Sequence, residues 1–181
     1  MKSQYLLSLS ASTAIAIGTI LMGGESATAS KPVFYCQSNE GMPKTVAKSN
    51  NGVDRAIFHW NLDRESTSAN SQELCDSVTQ KLNNYMAEGN DLSSLTFKAS
   101  TVYGEDLDSP DFPVVCVAGE SDPCKLPLFT LNPSDDPRVT ANNALNSILD
   151  PALQATPAKS NDRGVQSTSY QVNFWQLLGF D

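Results

Sequence analysis

Four cysteines, one histidine and a run of carboxylates are the residues of this 181-residue chain whose types and spacing could do chemistry. Cys36, Cys75, Cys116 and Cys124 stand 39, 41 and 8 positions apart. Zinc favours closely spaced cysteine pairs, usually with histidine, and His59 is the only histidine. A thiol nucleophile needs an unpaired cysteine beside a general base, which an even cysteine count and one histidine argue against. The reading that remains is covalent: two disulfides.

That reading needs an oxidising compartment. The chain opens MKSQYLLSLSASTAIAIGTILMGGESATAS, with Lys2 as a basic start, an apolar stretch from Tyr5 to Met22, then Gly23-Gly24 and the small-residue site Ala27-Thr28-Ala29. This order predicts a secretory signal peptide over 1–29, cleaved after Ala29. Ser8, Ser10, Ser12, Thr13 and Thr19 make the stretch a poor membrane anchor. No cysteine stands directly after it, so a lipoprotein anchor is not expected, and no twin arginine precedes it, so export of an unfolded chain is expected and a cofactor loaded in the cytoplasm is not. The expected location is the periplasm, the exterior or the periphery of the cell envelope, and no cofactor is expected.

Removing Lys2 together with Glu25 leaves the formal charge at −8. An acidic chain without a lysine or arginine cluster is unsuited to nucleic acid and is repelled by anionic lipid headgroups. A protein or an envelope component is the partner class left, with peripheral membrane association still open.

Four cysteines allow three pairings. VVCVAGESDPC favours Cys116 with Cys124, because a turn from Gly119 to Pro123 returns the chain to the strand-like run. Cys75 lies on the apolar stripe of a predicted helix, which favours a bond to the strand carrying Cys36. The competing pairing joins Cys36 to Cys116 and Cys75 to Cys124, and it stays open on sequence alone.

The elements that must position these residues follow from periodicity. Residues 31–38 (KPVFYCQS), KTVAK and RAIFHW read as three strands of a meander joined by short turns. Leu74, Cys75, Val78, Leu82, Tyr85 and Met86 repeat at helical spacing up to Gly89. LTFKASTVY, VVCVA and PLFTL read as further strands. Asp136-Pro137 opens a second helix that Asp150-Pro151 closes. The predicted fold is a single α+β domain over 30–150, two helices on a mostly antiparallel sheet of about six strands. Residues 151–168 read as a flexible linker. The aromatic segment 169–181 alternates Tyr170, Val172 and Phe174 and is either a terminal strand or a docking peptide.

Two further sets of residues are candidates. Glu105, Asp106, Asp108 and Asp111 could hold Ca2+, although the spacing is not that of an EF-hand and a solvated loop is the simpler reading. Phe174 and Trp175 are aromatic contact candidates. No nucleophile elbow, metalloprotease motif, phosphate loop or dinucleotide fingerprint occurs, while a carboxylate pair for glycoside hydrolysis is set by fold and not by spacing.

FYCQS, IFHW, the helix with ELC, and FPVVCVAG followed by a cysteine before LFTLNP together resemble the circadian-oscillating-protein domain family of cyanobacterial exported proteins. The resemblance runs from about Lys31 to Leu149 and includes all four cysteines. It implies an extracytoplasmic, cysteine-bridged domain and brings no catalytic residues. GEDLDSPD and residues 150–181 fall outside it. The expected function is thus a non-enzymatic exported module binding a protein or envelope component. A Ca2+-binding protein and a hydrolase of envelope polymers are the alternatives.

Overall fold

Phe34–Gln37 (β1), Lys44–Ala47 (β2) and Arg55–His59 (β3) pair as an antiparallel meander in a computed structural model. That structure describes residues 33–38, 41–48, 54–63, 65–92, 94–103, 111–119, 121–154, 168–174 and 177. A helix, Ser71–Ala87 (α1), follows. Asn70 caps it by accepting the Glu73 N–H, and the Glu73 carboxylate accepts the Asn70 N–H in return, which satisfies two otherwise orphaned donors. Gly89, with φ of 81°, turns the chain out of the helix.

Leu95–Val102 (β4), Phe112–Ala118 (β5), Leu126–Thr130 (β6) and Ser169–Val172 (β7) form a second antiparallel sheet in the order β6-β5-β4-β7. Between β6 and β7 lies Pro137–Ile148 (α2), capped by the Asp136 carboxylate on the Val139 N–H with proline at the first turn. The architecture is a small α+β domain, with two helices and seven strands among the described residues.

The strands divide between two sheets, where the sequence predicts one of about six. The outer edge of β1 is occupied: the Phe34 N–H donates to Asn83 Oδ1 at 3.0 Å, and Asn83 Nδ2 donates to the Phe34 carbonyl at 2.8 Å. The outer edge of β3 meets the end of α2, where the Asp150 N–H donates to the Ile57 carbonyl and Leu149 bridges to Phe58. Groups from both helices fill the positions a continuous sheet would need.

The domain also continues past residue 150. β7 pairs with β4 over Leu95↔Val172 to Lys98↔Ser169, and Phe174 just beyond it is fully buried. Six rings form an unbroken chain through the core. Phe34 meets Phe174 at 5.3 Å, Phe174 meets Phe97 at 6.2 Å, and Phe97 meets Phe58 at 4.8 Å. Phe58 then meets Trp60 at 5.6 Å and Trp60 meets Phe129 at 5.4 Å. Aromatic contacts of this kind add to the burial of each ring, and here they join the two sheets. Among the described residues no helix is long and apolar enough to cross a membrane.

Candidate functional site

The cysteines are joined Cys36–Cys75 and Cys116–Cys124, the pairs the sequence favours. The first ties β1 to α1. Its inner sulfur, on fully buried Cys75, receives the Thr45 hydroxyl at 3.8 Å, and Trp60 Nε1 donates to the Thr45 oxygen at 3.0 Å. Its outer sulfur, on Cys36, receives Gln72 Nε2 at 3.4 Å. The second links β5 to the turn before β6.

His59 Nε2 lies 2.8 Å from Asp150 Oδ2, with both side chains about a quarter exposed at 27% and 22%. Asp150 Oδ1 accepts the Ala152 N–H, and the Asp150 N–H is the group bonded to Ile57. The histidine therefore latches the end of α2 to β3. This is a structural use of the one imidazole.

Of the predicted Ca2+ ligands, Glu105, Asp106 and Asp108 lie outside the described residues, and Asp111 is half-buried at the start of β5. Among the described residues no three histidine, cysteine, aspartate or glutamate side chains are grouped to hold a metal ion. Phe174 is not an exposed contact: its ring fills the core between Phe34 and Phe97, because β7 carries it under the second sheet. Trp175 lies outside the described residues, as do residues 1–29 and 155–167.

The sequence reading does not single out Lys125, Tyr85 or Asn90, yet these build a wide concave surface. A groove of about 750 Å³ lies on the outer face of the second sheet, lined by Tyr85, Asn90, Ser94, Thr96, Asp122 and Lys125 among others. Lys125 Nζ lies 5.1 Å from the centre of the Tyr85 ring and donates to Asn90 Oδ1 at 2.7 Å. Asn90 is itself oriented, donating through Nδ2 to the Tyr85 carbonyl at 2.8 Å.

The turn from β5 to β6 sets the lysine in place. The Gly119 N–H donates to the Asp122 carbonyl at 2.8 Å, and Asp122 Oδ1 accepts the Cys124 N–H at 2.9 Å. A Cβ at Gly119 would sit 3.1 Å from Lys125 Cδ, so the glycine leaves room for the lysine stem. Cys124 precedes Lys125, and its bond to Cys116 anchors the turn to β5. The sequence signal that could have found the site is the lone cation closing the acidic turn GESDPCK. Hydroxyls, amides, a carboxylate and an ammonium converge there, a set suited to hydrogen-bonding a polar ligand.

Two disulfides, two capped helices and two antiparallel sheets joined by an aromatic core define a small disulfide-bridged α+β domain. The family model for the circadian oscillating protein COP23 matches residues 33–178, and the chain belongs to that family. The match reaches past residue 150, so the C-terminal segment lies within the family's span, as the pairing of β7 with β4 requires. No curated protein and no solved structure matches the chain.

Proposed function

We propose that this chain is an exported, disulfide-stabilised module that works by binding a protein or envelope component and not by catalysis. The observation that carries the reading is the polar groove around Lys125, fixed by the Cys116–Cys124 turn and offering hydrogen-bond groups on several sides. Export is supported by the signal-peptide pattern of residues 1–29 and by the disulfides, which persist in oxidising compartments. Lys125, held by one amide and one ring face, is the charged hydrogen-bond donor a ligand would meet.

The test is co-sedimentation of the mature protein with envelope fractions, comparing the native chain with Lys125→Ala and Asn90→Ala. Each folded variant should bind about ten-fold more weakly, the size of one charge-assisted hydrogen bond. Unchanged retention of both would sink the assignment of this groove. Intact mass of the exported protein checks the other half, since loss of residues 1–29 is expected.

A further inference from the structure

The two sheets present four outer edges, and three are closed by named groups. The Asn83 amide closes β1, and the Asp150 N–H with Leu149 closes β3. Lys81 closes β6 by donating to the carbonyls of Pro127 at 3.1 Å and Leu128 at 2.7 Å. Burial pushes the Lys81 ammonium below its usual range by stripping it of water. Unpaired edges recruit other strands, and proteins ordinarily blunt them. β7 stands apart.

The register shows which of its groups are open. The Ala99 N–H donates to the Thr168 carbonyl at 3.1 Å, so that pair is hydrogen-bonded, and alternation gives the same to Phe97↔Tyr170 and Leu95↔Val172. Ser169 and Gln171 therefore point their N–H and C=O groups away from β4, and among the described residues nothing bonds them there. A groove of about 330 Å³ runs along this edge, lined by Arg55, Leu153, Gln171, Val172, Asn173 and Leu177. Arg55 is exposed, and among the described residues its guanidinium has no carboxylate partner.

We infer that the β7 edge is a docking site for an extended peptide segment of a partner, which adds as a further strand and sets a carboxylate against Arg55. Backbone pairing at Ser169 and Gln171 supplies the ladder, and the apolar walls of Leu153, Val172 and Leu177 receive alternate side chains. The guanidinium selects for negative charge in a bidentate geometry that an ammonium does not offer. Self-pairing through the same edge is disfavoured, since each copy carries a formal charge of −8. This site shares the Gln171 side chain with the groove around Lys125 and is otherwise lined by different residues, so Arg55 and Lys125 test the two independently.

The test uses the mature, isotope-labelled protein and a synthetic peptide, acetyl-Thr-Val-Thr-Val-Asp with a free carboxylate end. Titration should shift and slow the exchange of the Ser169 and Gln171 amides. An amidated peptide with Asn in place of Asp should bind about ten-fold more weakly, as should the acidic peptide to Arg55→Glu. Gln171→Pro removes an outward N–H together with the Gln171 side chain and should abolish binding while the fold persists, whereas Gln171→Ala, which keeps the N–H, should bind as the native chain does. Should that variant not fold, a peptide N-methylated at alternate amides decides, since it cannot complete the ladder. Equal binding of the N-methylated peptide, or no response of the two amides at millimolar peptide, overturns the proposal. So does a concentration-dependent dimer that Gln171→Pro dissolves, which would assign the edge to a second copy.

Discussion

The two disulfides sit in neighbourhoods built on opposite plans. Cys36–Cys75 spans 39 positions and ties a strand to a helix, with Cys75 buried and Cys36 half-buried. There a buried threonine and an indole N–H complete a chain of hydrogen bonds to the inner sulfur. Cys116–Cys124 spans eight positions and closes a turn whose other groups line the groove around Lys125. In the chain-entropy model the long bridge contributes about 4 kcal/mol and the short one about 2.6 kcal/mol. The first bridge joins parts that chain locality would leave apart. The second shapes a surface.

The strongest way to break the contrast is to remove what both neighbourhoods share. A chain ending at Thr168 loses β7 and the Phe174 ring that touches Phe34 on one side and Phe97 on the other. Calorimetry should then show no cooperative transition, whereas Phe174→Ala alone should cost about 3–5 kcal/mol. A truncated chain that melts like the full one would mean the core is complete without its last strand.

The next effect separates the bridges. Cys36→Ala with Cys75→Ala should lower stability in denaturant titration by about 4 kcal/mol, and Cys116→Ala with Cys124→Ala by about 2.6 kcal/mol. The order of costs should reverse in hydrogen exchange of residues 119–125, where only the second pair loosens the turn. Equal exchange in both variants would dissolve the distinction between a bridge that ties two elements and one that closes a turn. Trp60→Phe is smaller again: it removes the donor to Thr45 and should cost about 1–2 kcal/mol in the same titration.

The smallest effect is in alkaline pH. The Tyr35 hydroxyl donates to Asp54 Oδ2 at 2.7 Å, a bond that exists only with the neutral phenol, and this raises its ionisation above the usual value near 10. The folded state thus keeps the proton longer than the unfolded one. The stability from this contact is whole below pH about 10 and is lost as pH rises through the raised folded value. Lys81 acts in the other sense, because its lowered folded value lets stability rise toward the unfolded value near 10.4. Melting temperature followed from pH 8 to 11 should fall less steeply in Tyr35→Phe than in the native chain. An identical slope would remove Tyr35 from the account.

Much of the fold was legible because it is local. The apolar stripe through Leu74, Cys75, Val78 and Leu82 faces the core as helical spacing requires, and Asp136-Pro137 starts α2 where its chemistry says it should. The meander β1-β2-β3 follows from short turns between strand-like runs. The alternation of Tyr170, Val172 and Phe174 read correctly as a terminal strand, while Phe174 as a contact residue did not hold, because aromatic content looks alike on a docking peptide and on a strand and burial alone separates them. Lys125 and Arg55 gave little signal, since a single cation has no period and its meaning comes from neighbours distant in sequence.

By itself, then, the sequence determined the two helices with the Asp136-Pro137 start and the Gly89 end, most strands, and the cysteines able to pair within reach of those elements. Each rests on contacts between near neighbours in the chain. Tertiary structure alone decided that the strands divide into two sheets and that β7 returns to β4 across α2. It also decided which edges are sealed by Asn83, Lys81 and Asp150 and which, among the described residues, has no such closure. Those outcomes depend on closures between residues tens of positions apart, where side-chain amides, an ammonium and helix ends compete with strands for the same backbone groups.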